Sequence, residues 1–300
     1  VSGLVNPKDT IVVTGFWRSG TTWVQQLVSR KIKAKTVFEP MHWSVKEYAD
    51  LVRKTLPIPR SDRAYLKSFM PYAIHDSRSL RKYIRRSLTG NLVDDWLRRG
   101  RSGIREAFRT KVVAKFVRGH LLIPSLREWF SPTILHVRRD PRSVVASLLR
   151  NDWASWMKGL SLTDQLLRPN DGRREAFSVY TNAISQFDTE NFVMRAVIYW
   201  ALTERFVEET LSGIDVKVLN YEELCRHGDR YLNRLFDSGK IFSSLPVDHK
   251  VDSPTTAKSR KGVSTEDRIH GWREELGSTT TGKIKFALEA VGASDLVTVH

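Results

Sequence analysis

The sequence predicts an α/β domain with a parallel sheet flanked by helices. Three observations predict it. Short runs rich in Val and Ile alternate with segments of helical period along most of the chain. The first run passes through a glycine-bounded polar turn straight into a helix start, IVVTGFWRSGTTWVQQLVSR over residues 11–30. The chain has 300 residues at 41% hydrophobic content, enough for one large core.

Each element follows from its local pattern. Residues 10–14 (TIVVT) read as a buried strand and 22–31 as its helix, with Trp23, Val24, Leu27 and Val28 on one face. Residues 36–38 (TVF) form a short strand ending at Glu39-Pro40. Residues 44–110 are Arg-rich and helix-like, broken at Pro57, Pro59, Pro71 and Gly90, and are expected to form an inserted helical cap. Residues 111–116 (KVVAKF) are a strand and 123–130 a short helix. Residues 133–137 (TILHV) are a strand, and Pro141 opens the helix over 143–150. Residues 151–190 are aromatic-rich, expected to be irregular, and suit a substrate lid. A long amphipathic helix over 192–211, a strand over 215–220 and a helix from Tyr221 complete the series. The whole chain, residues 1–300, is taken as one domain. In such sheets ligands bind at the carboxyl ends of the strands, so the loops after the first, second and fourth strands are the first places to look.

Charge narrows the partners. Forty-nine Lys plus Arg against 33 Asp plus Glu give +16, a field that draws nucleotides, acidic glycans, anionic membrane surfaces or nucleic acid. The basic runs at 78–86 (RSLRKYIRR) and 98–109 come with no nucleic-acid-binding signature, so no nucleic-acid partner is expected; a solvated basic face or a groove for an anionic acceptor is expected instead. Peripheral contact with an anionic membrane or a polyanionic glycan fits the charge; oligomeric state is not legible. One cysteine, Cys225, excludes an internal disulfide, and no His, Cys, Asp or Glu cluster has metal-ligand spacing, so no metal is expected. There is no apolar run of membrane-spanning length and no visible signal peptide. A cytoplasmic place is expected, or a luminal domain trimmed of its anchor.

The turn over residues 15–22 (GFWRSGTT) carries the chemistry. Backbone N–H groups converge there at a helix N-terminus and make an anion cradle. Gly15 and Gly20 have the Walker A spacing, but Thr21 stands where the loop lysine belongs, and the cation is Arg18, within the loop. A magnesium-dependent P-loop kinase is thereby weakened but stays an alternative. A non-enzymatic polyanion-binding module is another.

FWRSGTTW resembles the 5′-phosphosulfate loop of sulfotransferases that use 3′-phosphoadenosine 5′-phosphosulfate (PAPS). Two further segments resemble that family in the same order. TILHVRRDPRSVVASLL places Arg139 at a strand end and Ser147 eight residues on, and SRKGVSTEDRIHGWREEL carries Arg260, Lys261 and Gly262 before a Trp272 helix. The resemblance implies that Arg18, Ser19, Gly20, Thr21 and Thr22 hold the 5′-phosphosulfate. Arg139, Ser147, Arg260, Lys261 and Gly262 then select the 3′-phosphate, and Trp23 and Tyr221 flank adenine, although Tyr221 serves equally as core. The product would be adenosine 3′,5′-bisphosphate. Two residues compete as the base that deprotonates the acceptor. His120, in GHLLIP, resembles the histidine segment of the cytosolic branch, with a pKa suited to the task. Glu39, in TVFEPMHW, resembles acidic residues of carbohydrate sulfotransferases, and burial among Phe38, Met41 and Trp43 is expected to raise its pKa. His42 is a further candidate, and Lys115 is placed to assist the leaving phosphate. Trp17-Arg18 and Phe38-Glu39-Pro40 resemble the carbohydrate branch and point to a glycan or glycolipid acceptor, while small alcohols and phenols stay open.

Overall fold

The computed structural model describes residues 5–55, 63–72, 77–99, 106, 109–210, 212–236, 252, 256 and 261–297. Five strands form its sheet: β1 (Ile11–Gly15), β2 (Lys35–Phe38), β3 (Val112–Phe116), β4 (Thr133–Arg138) and β5 (Val216–Asn220). Their order is β2-β3-β1-β4-β5, and every pairing is parallel. Ile11 lies opposite both Val113 and Thr133, so the central strand and its neighbours end level with one another. The expected parallel α/β sheet is therefore present, with boundaries within two residues of those read from sequence.

Side-chain alternation builds two cores from one sheet. Val12, Val112, Ala114 and Ile134 face one side, where they meet Leu80, Ile84 and Leu126. Ile11, Val13, Val113 and Leu135 face the other, against Val24, Leu27 and Val28 of the helix α1 (Thr21–Lys31). Each large apolar side chain buried this way stabilises the fold by about 1.5–3 kcal/mol. Cys225 is packed in the second core, and burial pushes its thiol up to about 11, which keeps it neutral.

Two stretches differ from expectation. The segment 44–110 is helical in its described parts, with α2 (Lys46–Thr55), α3 (Arg63–Ser68) and α4 (Arg78–Thr89). Most of its buried apolar residues pack along the face of the sheet, however, and among its described residues Trp96 and Arg99 reach the cleft at the strand ends. Leu80, Ile84, Leu88 and the preceding Tyr83 recur at helical spacing and are buried, a period that sequence alone cannot assign to a particular partner. Residues 151–190 are not irregular; they hold helices at Trp153–Trp156, Leu162–Leu166, Arg173–Phe177 and Thr181–Asp188. Leu162, Leu166, Phe177, Ile184 and Phe187 bury themselves in the same apolar cluster as the long helix Phe192–Thr210. Among the described residues of this stretch, Trp153 reaches the cleft described below. Short polar interruptions hid the helices, and burial of their apolar faces restores them.

Beneath the carboxyl ends of β3 and β4 lies a fully buried charged cluster. His136 Nε2 is 2.8 Å from Glu204 Oε2, Arg138 Nε donates to the same oxygen at 3.0 Å, and His120 Nε2 lies 3.6 Å from Glu204 Oε1. Burial alone would raise the Glu204 pKa, but His136, His120 and Arg138 outweigh it and hold the carboxyl well below its usual range. Removing one partner leaves a buried charge uncompensated. Glu204→Ala is therefore expected to lower unfolding stability by about 3–5 kcal/mol, measured by urea denaturation; a loss below about 1 kcal/mol would show the cluster to be incidental.

Candidate anion-binding site

The carboxyl ends of β1 to β4 open into one cleft of about 390 Å³, within the range of small-molecule sites. The turn after β1 forms its floor. Gly20 has a φ of 87°, and a Cβ there would sit 2.4 Å from the Tyr221 ring. A Cβ at Gly15 would sit 2.5 Å from the Val137 carbonyl oxygen. Both glycines are thus required by close approach. Helix α1 begins at Thr21 with no side-chain cap and no acid in its first turn, so its leading N–H groups and dipole face the cleft uncompensated.

Arg18 adopts a φ of 62°, an uncommon conformation for a non-glycine residue. Its Nε donates to Ser147 Oγ at 2.9 Å, and its carbonyl accepts from Arg139 Nη1 at 2.9 Å. Residues that the resemblance implied for two different phosphates are hydrogen-bonded to each other. Burial first, then the neighbouring Arg139 and Arg150, lower the Arg18 pKa to about 10, so it remains a cation at neutral pH. The Arg139 guanidinium lies 4.3 Å over the Tyr221 ring and also donates to the Arg268 carbonyl at 3.2 Å. Trp23 meets Tyr221 edge-on at 5.4 Å, and both line the cleft.

The opposite end of the cleft is built by β2 and β3. Lys115, with a side chain only 1% exposed, donates to Thr22 Oγ1 at 2.6 Å and lies 2.8 Å from Glu39 Oε1. Its ammonium sits 3.6 Å over the Phe38 ring. Lys115 does not itself line the cleft; it brings a cation from a neighbouring strand up against Thr22 of the loop, just behind the cleft wall. Burial lowers the Lys115 pKa, and Glu39 opposes that. For Glu39, burial raises the pKa as expected, but Lys115, Arg118 and His42 outweigh it and hold the carboxyl below its ordinary value. That corrects the direction expected from sequence, which counted only the apolar neighbours. His42 also lines the cleft, and burial, reinforced by Arg118, lowers its pKa to about 3.

Other expectations divide. His120 does not line the cleft; it is 0% exposed beneath it, in the Glu204 cluster, where burial lowers its pKa. The sequence placed no metal-type cluster, yet folding brings ligand atoms of His120, His136 and Glu204 within 4.8 Å of one another. Arg138 already supplies positive charge to that carboxylate. Ser19 is buried, with its hydroxyl unpartnered among the described residues. Gly262 has a φ of 71° and its N–H donates to Asp252 Oδ2 at 2.7 Å, while Lys261 is exposed; neither lines the cleft, and Arg260 lies outside the described residues. Sequence reasoning missed Ser143, Arg118, Trp96 and Arg99 as cleft residues. Arg118 carried a signal in its place just beyond a strand end, and Arg99 in the basic run that suits an anionic acceptor.

An α/β protein with a phosphate-type loop at its central strand is the class that this geometry defines. No family model and no curated protein matches the chain. Among solved structures it is similar to a sulfotransferase domain from the curacin biosynthetic pathway, at 13% identity and TM-score 0.47, over 95% of this chain and 98% of that one. It is similar to a sulfotransferase from Mycobacterium tuberculosis at 12% identity and TM-score 0.43, over 96% and 77% of the two chains. It is also similar to a sulfotransferase domain of the Synechococcus PCC 7002 olefin synthase, at 12% identity and TM-score 0.42, over 94% of each. No helix among the described residues is long and apolar enough to cross a membrane.

Gly20→Ala tests the loop. The new Cβ must displace Tyr221 in a backbone conformation that alanine rarely adopts. The expected cost is about 1–3 kcal/mol in thermal unfolding.

Proposed function

We propose that this protein is a sulfotransferase that moves a sulfuryl group from PAPS to a hydroxyl or amine of a glycan, glycolipid or small-alcohol acceptor. The observation that carries the reading is Lys115, held between Thr22 of the loop and Glu39 across the cleft. A single ammonium there touches both the anion cradle and a carboxylate facing the acceptor side. The cleft fits the donor on chemical grounds: uncapped helix amides at Thr21, six arginine side chains among the described residues of its lining, and a Trp23–Tyr221 aromatic corner. At the strand ends flanking β1, where a kinase would keep a magnesium-binding carboxylate, stand Arg118 and Arg139.

The roles follow from placement. The α1 amides, Thr21 and Thr22 hold the 5′-phosphate. Arg139, whose Nη1 and Nη2 each also serve a backbone carbonyl, turns its remaining N–H donors to the 3′-phosphate. Ser147, bonded to Arg18, couples the two phosphate sites, and Arg18 faces the oxygen that bridges phosphorus and sulfur. The donor supplies an activated sulfuryl group and a good leaving phosphate. Glu39 accepts the acceptor's proton as the new S–O bond forms, and the S–O bond to phosphate breaks. Lys115 stabilises the charge left on that phosphate oxygen. Lys115 drawn toward the donor relaxes its hold on Glu39, which raises the basicity of that carboxylate when it is needed. His120, enclosed and neutral, acts on packing rather than on protons of the acceptor.

Three outcomes test this. Saturating adenosine 3′,5′-bisphosphate should raise the thermal midpoint by several degrees, more than Mg-ATP or heparin does; the reverse order sinks the proposal. Lys115→Ala and Arg18→Ala should each lower kcat by about 100-fold or more, measured by transfer of radiolabelled sulfate. Glu39→Gln assigns the base: it should lower kcat by about 100-fold or more. Glu39 works as a base only when ionised, and its pKa is lowered, so kcat/KM should hold steady as pH falls to about 5 and drop only below the ordinary carboxylate value. Burial lowers His120 and His42 as well, so retained activity in Glu39→Gln, rather than the position of the acid limb, would assign the proton to a histidine. On the alkaline side activity should fade as Lys115 deprotonates, below the usual lysine value.

A further inference from the structure

The acceptor end of the cleft carries a cation that neither the donor nor any carboxylate among the described residues accounts for. The turn holding residues 94–99 is tied to β2 by the Phe38 N–H, which donates to the Leu97 carbonyl at 3.0 Å. It sets Trp96 6.0 Å from the Phe38 ring. His42 stacks on Trp96 at 3.7 Å with an 11° interplanar angle, and the Arg99 guanidinium lies 3.8 Å over the same ring. Trp96 is therefore sandwiched between a histidine and an arginine. Contacts run in one line from the phosphate loop to this stack: Thr22, Lys115, Phe38, Trp96, Arg99. Arg99 stands at the far end, on the acceptor side of Glu39.

The charges around the stack do not balance. Arg150 pairs with Glu275 and Arg268 with Asp252, while Arg18 and Arg139 belong to the donor corner. Near Glu39 stand Lys115 and Arg118, and Arg99 faces His42, the next titratable group along. Arg118 is spent on the Lys67 carbonyl at 3.0 and 2.8 Å. His42 accepts from the Ser44 N–H through Nδ1 at 3.1 Å and is neutral. Arg99 is exposed, and no carboxylate among the described residues pairs with it. A guanidinium held over an indole by its central carbon keeps N–H donors available, and a guanidinium can grip an oxyanion with two parallel bonds.

We infer that the acceptor is an acidic one, a saccharide bearing a carboxylate or sulfate that Arg99 holds while Glu39 faces the hydroxyl to be sulfated. This rests on the sulfotransferase reading and narrows its substrate class. Arg99 is a specificity-determining residue here, and it takes no part in the bond changes.

Three matched acceptors test it: 4-nitrophenyl β-D-glucuronide, 4-nitrophenyl β-D-glucoside 6-sulfate and the neutral 4-nitrophenyl β-D-glucoside. Sulfate transfer from PAPS is measured for each, together with binding to the complex with adenosine 3′,5′-bisphosphate by calorimetry. One or both acidic acceptors should be favoured over the neutral one by about tenfold or more, carried in KM and Kd; which of the two wins identifies the anion. Arg99→Gln should bring the ratio to about one through a rise in KM and Kd for the acidic acceptors, with an unaltered thermal midpoint. Preference for the neutral glycoside, binding of none of the three, or a preference that survives Arg99→Gln overturns the inference. Calorimetry with the bisphosphate alone keeps the two readings apart. If it binds and the acidic preference is missing, only this inference falls; if it does not bind, the sulfotransferase reading falls and takes this inference with it.

Discussion

A lysine ammonium with 1% exposure cannot stand unpartnered in a protein interior. Lys115 is held there by a hydroxyl, a carboxylate and an aromatic face, contributed by Thr22, Glu39 and Phe38. Those partners come from α1, from the end of β2 and from the strand β2 itself, so the one buried charge fixes how three elements meet. The same contacts set the charge state of the acid. Glu39 stays ionised because the cation is near, and both are poised beside a helix N-terminus that lacks a compensating acid.

The corner around Arg18 follows similar logic with a different sign. Arg18, Arg139 and Arg150 crowd together, and their mutual repulsion is tolerated because carbonyls, hydroxyls and an aromatic ring take up their donors. A concentration of like charge in a partly buried cleft is costly in the absence of an anion and favourable in its presence, which makes the cleft a strong focus for phosphate-type ligands. Below it, Glu204 gathers His136, Arg138 and His120 at the carboxyl ends of the strands. That cluster uses the histidine whose sequence context resembled a catalytic one, and it uses it for packing.

The segments flanking the sheet show where local pattern stops being informative. Leu80, Ile84 and Leu88 announced a helix, but their partners Val112 and Ala114 lie more than twenty residues further along the chain, so the choice between cap and sheet cover could not be read locally. The helices over 151–190 are short and separated by polar residues, and only their burial with Tyr199, Trp200 and their neighbours reveals them as core. Arg99 lay in a basic run that read as a solvated face or as a groove for an anionic acceptor, and nothing local connects it or Trp96 to Phe38.

The residues from Ile11 to Thr22 by themselves determined a strand, a tight turn and a helix start, because β-branched runs, glycine spacing and helical period are local properties. The same locality made the β4 turn with Arg139 and the alternation of strands and helices legible. Which side chains share the cleft was decided only by tertiary structure. Parallel pairing levels the ends of β1, β3 and β4, so Lys115 reaches Thr22 across 93 positions of sequence and His120, at the neighbouring turn, sinks beneath the floor. Electrostatic environment depends on distance in space, and so the direction of the Glu39 pKa could be settled only where Lys115 and Arg118 are seen beside it.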